Sequence, residues 1–181
     1  MENPIIKVIH PNRISKIRVI NQIRKFNDDK VSIYRLLHNP NGTSEPALSI
    51  YKSRGVKADC DIEKHECIAF FGYETNNQDI DKLHNSGKHP NDYELEFEID
   101  KDNKIIISPL IESTQERPAL LHEQDKKSEI IKDTIMKVDE RCIGGYCNHR
   151  DNNMVNVTFV LVKINEKYQV YIFSTKQIKE S

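Results

Sequence analysis

Residues 92–99 alternate without a break: Tyr93, Leu95, Phe97 and Ile99 are apolar or aromatic, and Asp92, Glu94, Glu96 and Glu98 are acidic. Successive side chains of an extended backbone point to opposite faces. The run therefore predicts a strand with one face buried and an acidic row on the other. A helix would spread the acids around its whole circumference. Asp100-Lys-Asp-Asn103 supplies a hairpin turn, and Ile105-Ile-Ile107 the next strand. The acidic row is either the solvent face of that strand or a surface that attracts a basic peptide. Lys101 and Lys104 are placed to neutralise part of it across the hairpin.

Extended patterning recurs along the chain. Leu48, Ile50 and Val56 suggest strands broken around Gly55, and Cys67 to Phe71 reads as a buried strand ending at Gly72. Val155 to Lys163 and Tyr168 to Phe173 form a hairpin about the turn Ile164-Asn-Glu-Lys167. Two stretches differ. Ile17, Ile20 and Ile23 recur at helical spacing within Ser15 to Phe26, with Arg18, Arg24 and Lys25 between them and Ser15 as N-cap. Ile130, Ile131, Ile135 and Val138 give a second helical stripe in Lys126 to Glu140. Val31 to Leu37 is apolar but too short to type, and Asn39 to Pro46 is a loop of turn formers. The expected fold is α+β, mainly short β-strands. A basic helical N-terminal extension spans 1–46, and the main domain 47–181 carries a helical insertion at about 108–143.

The length of 181 residues suits one domain with an extension, and 13 Phe and Tyr can seed a core. No run approaches the roughly 18 apolar residues of a membrane-spanning helix. The net charge of −1 conceals a split. Residues 1–57 hold 11 Lys and Arg against 4 Asp and Glu, whereas residues 58–181 hold 16 against 24. The basic part, residues 13–35 above all, could contact nucleic acid, or it could be a solvated face. The amino terminus has no apolar signal-peptide core. Cys60, Cys67, Cys142 and Cys147 contain no Cys-x-x-Cys pair. Free thiols and an intracellular location, cytoplasmic or nuclear, are the expectation. His84, His89 and His122-Glu123 match no metal-ligand spacing, so no metal is expected.

Two segments carry more specific information. Lys52-Ser-Arg-Gly-Val-Lys-Ala-Asp-Cys-Asp-Ile-Glu-Lys-His-Glu-Cys-Ile68, followed by Ala-Phe-Phe-Gly72, resembles the opening motif of SET-domain protein lysine methyltransferases. That motif reads Gly-x-Gly-(Val/Leu)-x-Ala, Asp-Ile-x-x-Gly-Glu-x-Ile, then an aromatic residue and Gly-Glu. Gly55, Val56, Ala58, Asp61, Ile62, Glu66, Ile68, Phe71 and Gly72 align with it. Ser53 replaces the first glycine, His65 replaces the turn glycine, and Tyr73-Glu74 follows Gly72. Further on, Gly145-Tyr-Cys-Asn-His149 is similar to the family segment that ends in Asn-His, with Asn156 in place of a later Asn. Tyr171 to Lys179 resembles the strand and turn that lead into the family's Gly-Glu-Glu-Leu-x-x-Asp-Tyr element. Together the matching parts cover residues 47–74 and 145–179.

The resemblance implies a SET-like β-clip fold, S-adenosylmethionine as cofactor, and methyl transfer to a lysine of a protein or peptide. It places Arg54, Gly55, Val56, Asn148 and His149 at the cofactor, and Tyr93 and Phe71 along the substrate channel. Glycine lets the backbone approach a ligand closely, and an Asn amide offers both a donor and an acceptor. The family's catalytic tyrosine would fall beyond Ser181. Either the chain is a fragment of a longer protein, or it is a catalytically inactive SET-like binding module.

Overall fold

The computed structural model describes residues 4–35, 54–75, 94–118, 130–147 and 155–180. Its sheet is organised by the hairpin of strands β9 (Val157–Ile164) and β10 (Lys167–Ser174). Asn165 and Glu166 connect them with φ of 49° and 67°. Two consecutive left-handed residues twist the chain in the same sense as the strands they join, which favours a tight hairpin. Strand β1 (Ile6–His10) pairs with the outer edge of β9, and β4 (Cys67–Thr75) with the outer edge of β10. Strands β5 (Leu95–Asp100) and β6 (Asn103–Ser108) extend the sheet beyond β4. The order is β1-β9-β10-β4-β6-β5, and every pairing is antiparallel.

The predicted alternation holds across β5. Leu95, Phe97 and Ile99 are half-buried while Glu96, Glu98 and Asp100 are exposed. The Asp100 carboxylate accepts the Asn103 side-chain amide (2.8 Å) and the Asp102 backbone amide (3.0 Å), which fix the turn and, the Asn103 bond first, lower its pKa. Across the ladder the Lys104 ammonium lies 3.1 Å from Glu96. Strand β4 runs three residues past Gly72. There a side chain would overlap the backbone carbonyl of Ser108 on β6, so the close strand crossing explains the glycine.

Both faces of the central strands are covered. On one face, helix α1 (Lys16–Arg24) lays Val19 and Ile23 on Cys67, Val160, Val162 and Phe173. Ser15 caps it, its hydroxyl accepting the Arg18 amide at 3.2 Å. Ile17, expected on the buried stripe, is 74% exposed, because the contact runs through Val19, Ile20, Ile23 and Phe26. On the other face, strands β2 (Val31–Arg35) and β3 (Arg54–Ala58) pair as a separate ladder, with Val31 and Ala58 in the core of Ile68, Phe71, Leu161 and Ile172. Residues 4–35, read in sequence as part of an extension, thus contribute an edge strand, a packed helix and half of this ladder.

Among the described residues of 108–143, the expected helical insertion is not formed. Leu110–Pro118 and Ile130–Val138 are strands β7 and β8, paired over nine residues each. Five of the nine residues in β8 are β-branched (Ile130, Ile131, Thr134, Ile135, Val138), and stiff χ1 angles favour the pleated surface over a helix. Apolar residues spaced by one, four and three follow the helical period, and β-branched composition overrides it. A 3₁₀ turn at Ile143–Tyr146 follows. The architecture is α+β, an antiparallel sheet with one α-helix among the described residues, and no helix there is long and apolar enough to cross a membrane.

Candidate functional site

The segment Gly55-Val-Lys-Ala58 forms the inner strand of the β2–β3 ladder. Gly55 is buried opposite Tyr34, and Val56 opposite Ile33. Between this ladder, Ile62 to Ile68 and the start of β9 lies a cavity of about 300 Å³. Val31, Val56, Ala58, Ile62, Ile68, Val157 and Ile178 make its walls apolar, while Tyr34, Lys57, Cys147 and Asn156 bring the polar groups. That volume sits at the small end of ligand sites, and apolar walls with a few polar groups are their usual composition. The Lys57 ammonium has a partial partner in Asp59 at 3.9 Å, with both side chains well exposed.

The floor of the cavity is stitched by backbone. Ile62 and Ile178 exchange hydrogen bonds of 2.7 and 2.9 Å. The His65 amide donates to the Ser174 carbonyl at 3.0 Å, and the Ser174 amide to the Glu66 carbonyl at 3.0 Å. The fully buried Ser174 hydroxyl accepts the Glu66 amide (3.0 Å) and donates to the Glu63 carbonyl (2.6 Å). His65 has φ of 63°, a left-handed turn that glycine adopts without steric cost. Glu66 pairs with Lys30 at 2.9 Å and accepts the Glu63 amide at 3.1 Å. Asp61 accepts the Glu180 amide at 2.9 Å and the Lys179 ammonium at 3.3 Å, and these bonds, the amide first, hold its pKa below the usual aspartate value. Asp61 thus braces the loop against the segment after β10, and Glu66 braces it against Lys30.

The candidate residues divide. Gly55 and Val56 lie on the inner strand, and Val56 lines the cavity. Arg54 opens β3 opposite Arg35. Phe71 is a core residue, 5% exposed, its ring edge-on to Phe159 at 5.2 Å. Asn148, His149 and Tyr93 lie outside the described residues. Cys147, the chain neighbour of Asn148, lines the same cavity as Val56, and so does Asn156. Gly144 is packed so that a side chain there would meet Ile172 Cδ1 at 2.5 Å, which seats the 3₁₀ turn against β10. The basic segment is partly committed to the fold, since Arg18 donates to the His65 carbonyl at 3.2 Å and Lys30 pairs with Glu66.

Tyr34 and Lys57 were not singled out by sequence, and Cys147 entered only as a free thiol within the second motif. Lys57 sits at a variable position of the motif, and Tyr34 belongs to a run too short to type. Burial pushes the Cys147 thiol up to about 12, and burial with nearby Asp139 does the same to Cys142. Burial also raises Cys67 strongly. All three therefore stay protonated at neutral pH and lack the thiolate that nucleophilic chemistry requires. No disulfide joins any of the four cysteines. Comparison with protein-family models and with curated proteins returns no match to this chain.

Proposed function

We propose that the chain is a SET-like domain that binds S-adenosylmethionine in the cavity beneath the β2–β3 ladder, for methyl transfer to a lysine side chain. One observation carries the reading: Val56 of the first motif and Cys147, next to Asn148-His149 of the second, line the same cavity. The left-handed backbone at His65, where the family motif has glycine, supports it independently.

When bound, the cofactor supplies an electrophilic methyl group on a sulfonium. The apolar walls suit an adenosine, and Lys57 is the cation for a carboxylate. Asn156 offers an amide that both donates and accepts. Cys147, held neutral, adds bulk and excludes water. Excluding water favours the uncharged amine of an incoming lysine, whose reference pKa is about 10.4. No acceptor-orienting tyrosine is assigned within this chain.

Calorimetric titration with S-adenosylmethionine tests the reading. Saturable binding is expected, weakened by about tenfold or more in Asn156→Ala, the scale of a lost hydrogen bond to a charged ligand group. No binding at all would refute the cofactor assignment. Binding without methylation of any lysine peptide would identify an inactive binding module.

A further inference from the structure

A second cavity of about 290 Å³ lies on the opposite face of the sheet, beside the end of helix α1. Its walls are a chain of four rings. Phe26 meets Tyr171 edge-on at 5.6 Å, Tyr171 meets Phe70 at 5.0 Å, and Phe70 meets Tyr73 at 4.8 Å. Tyr171 belongs to the α1 face of β10, whereas its neighbours Val170 and Ile172 belong to the core under the β2–β3 ladder. No lining residue is shared with the first cavity.

We propose that this aromatic cavity binds a methylated ammonium cation, with Asp28 as counter-ion and Arg141 as an intramolecular occupant of one ring face. Ring faces carry negative potential and attract a cation laid against them. An ordinary ammonium is strongly hydrated, and rings cannot replace its hydrogen bonds. Methylation removes those donors and spreads the charge over an apolar shell that aromatic walls accommodate. Asp28 lines the cavity, and among the described residues no hydrogen bond or ion pair satisfies its carboxylate. Partial burial, then the neighbouring Asp29, raises its pKa, as expected of a charge short of partners. Arg141 already lays one cation against this wall: its guanidinium lies 5.5 Å from the centre of the Tyr73 ring. Its own charge is countered by Asp139 at 3.2 Å, so Asp28 and the ring faces leave the mouth negative.

The proposal stands apart from methyl transfer, and its test uses the full chain without cofactor. Choline and a trimethyl-lysine peptide are titrated against their controls, the neutral isostere 3,3-dimethylbutanol and the unmethylated peptide. Binding is followed by calorimetry and by amide shifts at Tyr73 and Tyr171. Saturable binding of a methylated cation is expected, with the neutral isostere about tenfold weaker. Asp28→Asn should weaken binding several-fold. Arg141→Gln should tighten it, because a competing cation leaves the Tyr73 face. Asp28 is exposed, and Arg141→Gln keeps an amide donor for the largely buried Asp139, so a urea midpoint close to the parent's confirms that each variant is folded. Tighter binding of the peptide assigns the ligand to a protein side chain, and tighter binding of choline to a small quaternary amine; either supports the site. Equal binding of the neutral isostere, loss of binding in Arg141→Gln, or no saturable binding would overturn it.

Discussion

Single residues explain why this chain tolerates departures from the motif it resembles. His65 holds a left-handed backbone at a cost of about 1–2 kcal/mol for a residue with a Cβ. Its local bonds use only backbone atoms: the amide to Ser174, the carbonyl to Arg18. A glycine would keep both bonds, remove the steric cost, and lose about 0.5–1 kcal/mol of chain entropy. His65→Gly should therefore stabilise the protein by about 0.5–1 kcal/mol, seen as a higher urea midpoint at unchanged slope. A lower midpoint would mean that the imidazole itself contributes to the fold. Asp61 and Glu66 were legible in the sequence as motif positions, but their work was not. Asp61 accepts an amide from the far end of the chain, while Glu66 accepts the Glu63 amide within its own loop and pairs with Lys30.

At the scale of elements, strands with a clear period-two signal or a turn signal were read correctly. The β5–β6 hairpin and the β9–β10 hairpin stand where alternation and turn chemistry put them. β8 was misread because its apolar spacing follows the helical period, and five β-branched residues outweigh that signal. β2 could not be typed, since a run this short fits strand or helix alike, and its partner β3 lies far along the chain. The β9–β10 turn offers a direct check. Glu166 occupies a left-handed position at φ 67° and is 91% exposed at its side chain, so its ion pair with Lys163 at 3.3 Å contributes little. Glu166→Gly turns the loop into the preferred Asn-Gly pair and should stabilise the protein by about 0.5–1 kcal/mol. Thermal denaturation measures it, and a fall in midpoint would show that the ion pair or the entropy of glycine outweighs turn strain.

Across the whole molecule, composition gave the class while pairing gave the site. A cavity between residues distant in sequence is invisible until the sheet brings them together, and Tyr34 with Cys147 is such a pair. The charge split also changed meaning, because basic residues of the first part meet acidic ones of the second at Lys30–Glu66. Stability should be unevenly distributed. Amides of β10, flanked by β9 and β4 and covered on both faces, should exchange with solvent only through global unfolding. Among the described residues, β7 and β8 pair with each other alone, so their amides should exchange at a lower free energy. Hydrogen exchange resolves the two classes, and equal protection would indicate a single cooperative unit.

The strand order carries a consequence for synthesis. β1 is made before the other strands of this sheet, yet its partner is β9, and β4 has its longer ladder with β10. During translation the early strands therefore expose unpaired edges and apolar faces until the closing hairpin emerges. Such long-range closure is slow compared with forming local helices or hairpins. Helix α1, with its Ser15 cap, is the local element available to cover Ile6 and Val8 in the interval. The nascent chain should thus depend on holding factors until β9 and β10 are made, because these two strands join β1 to β4.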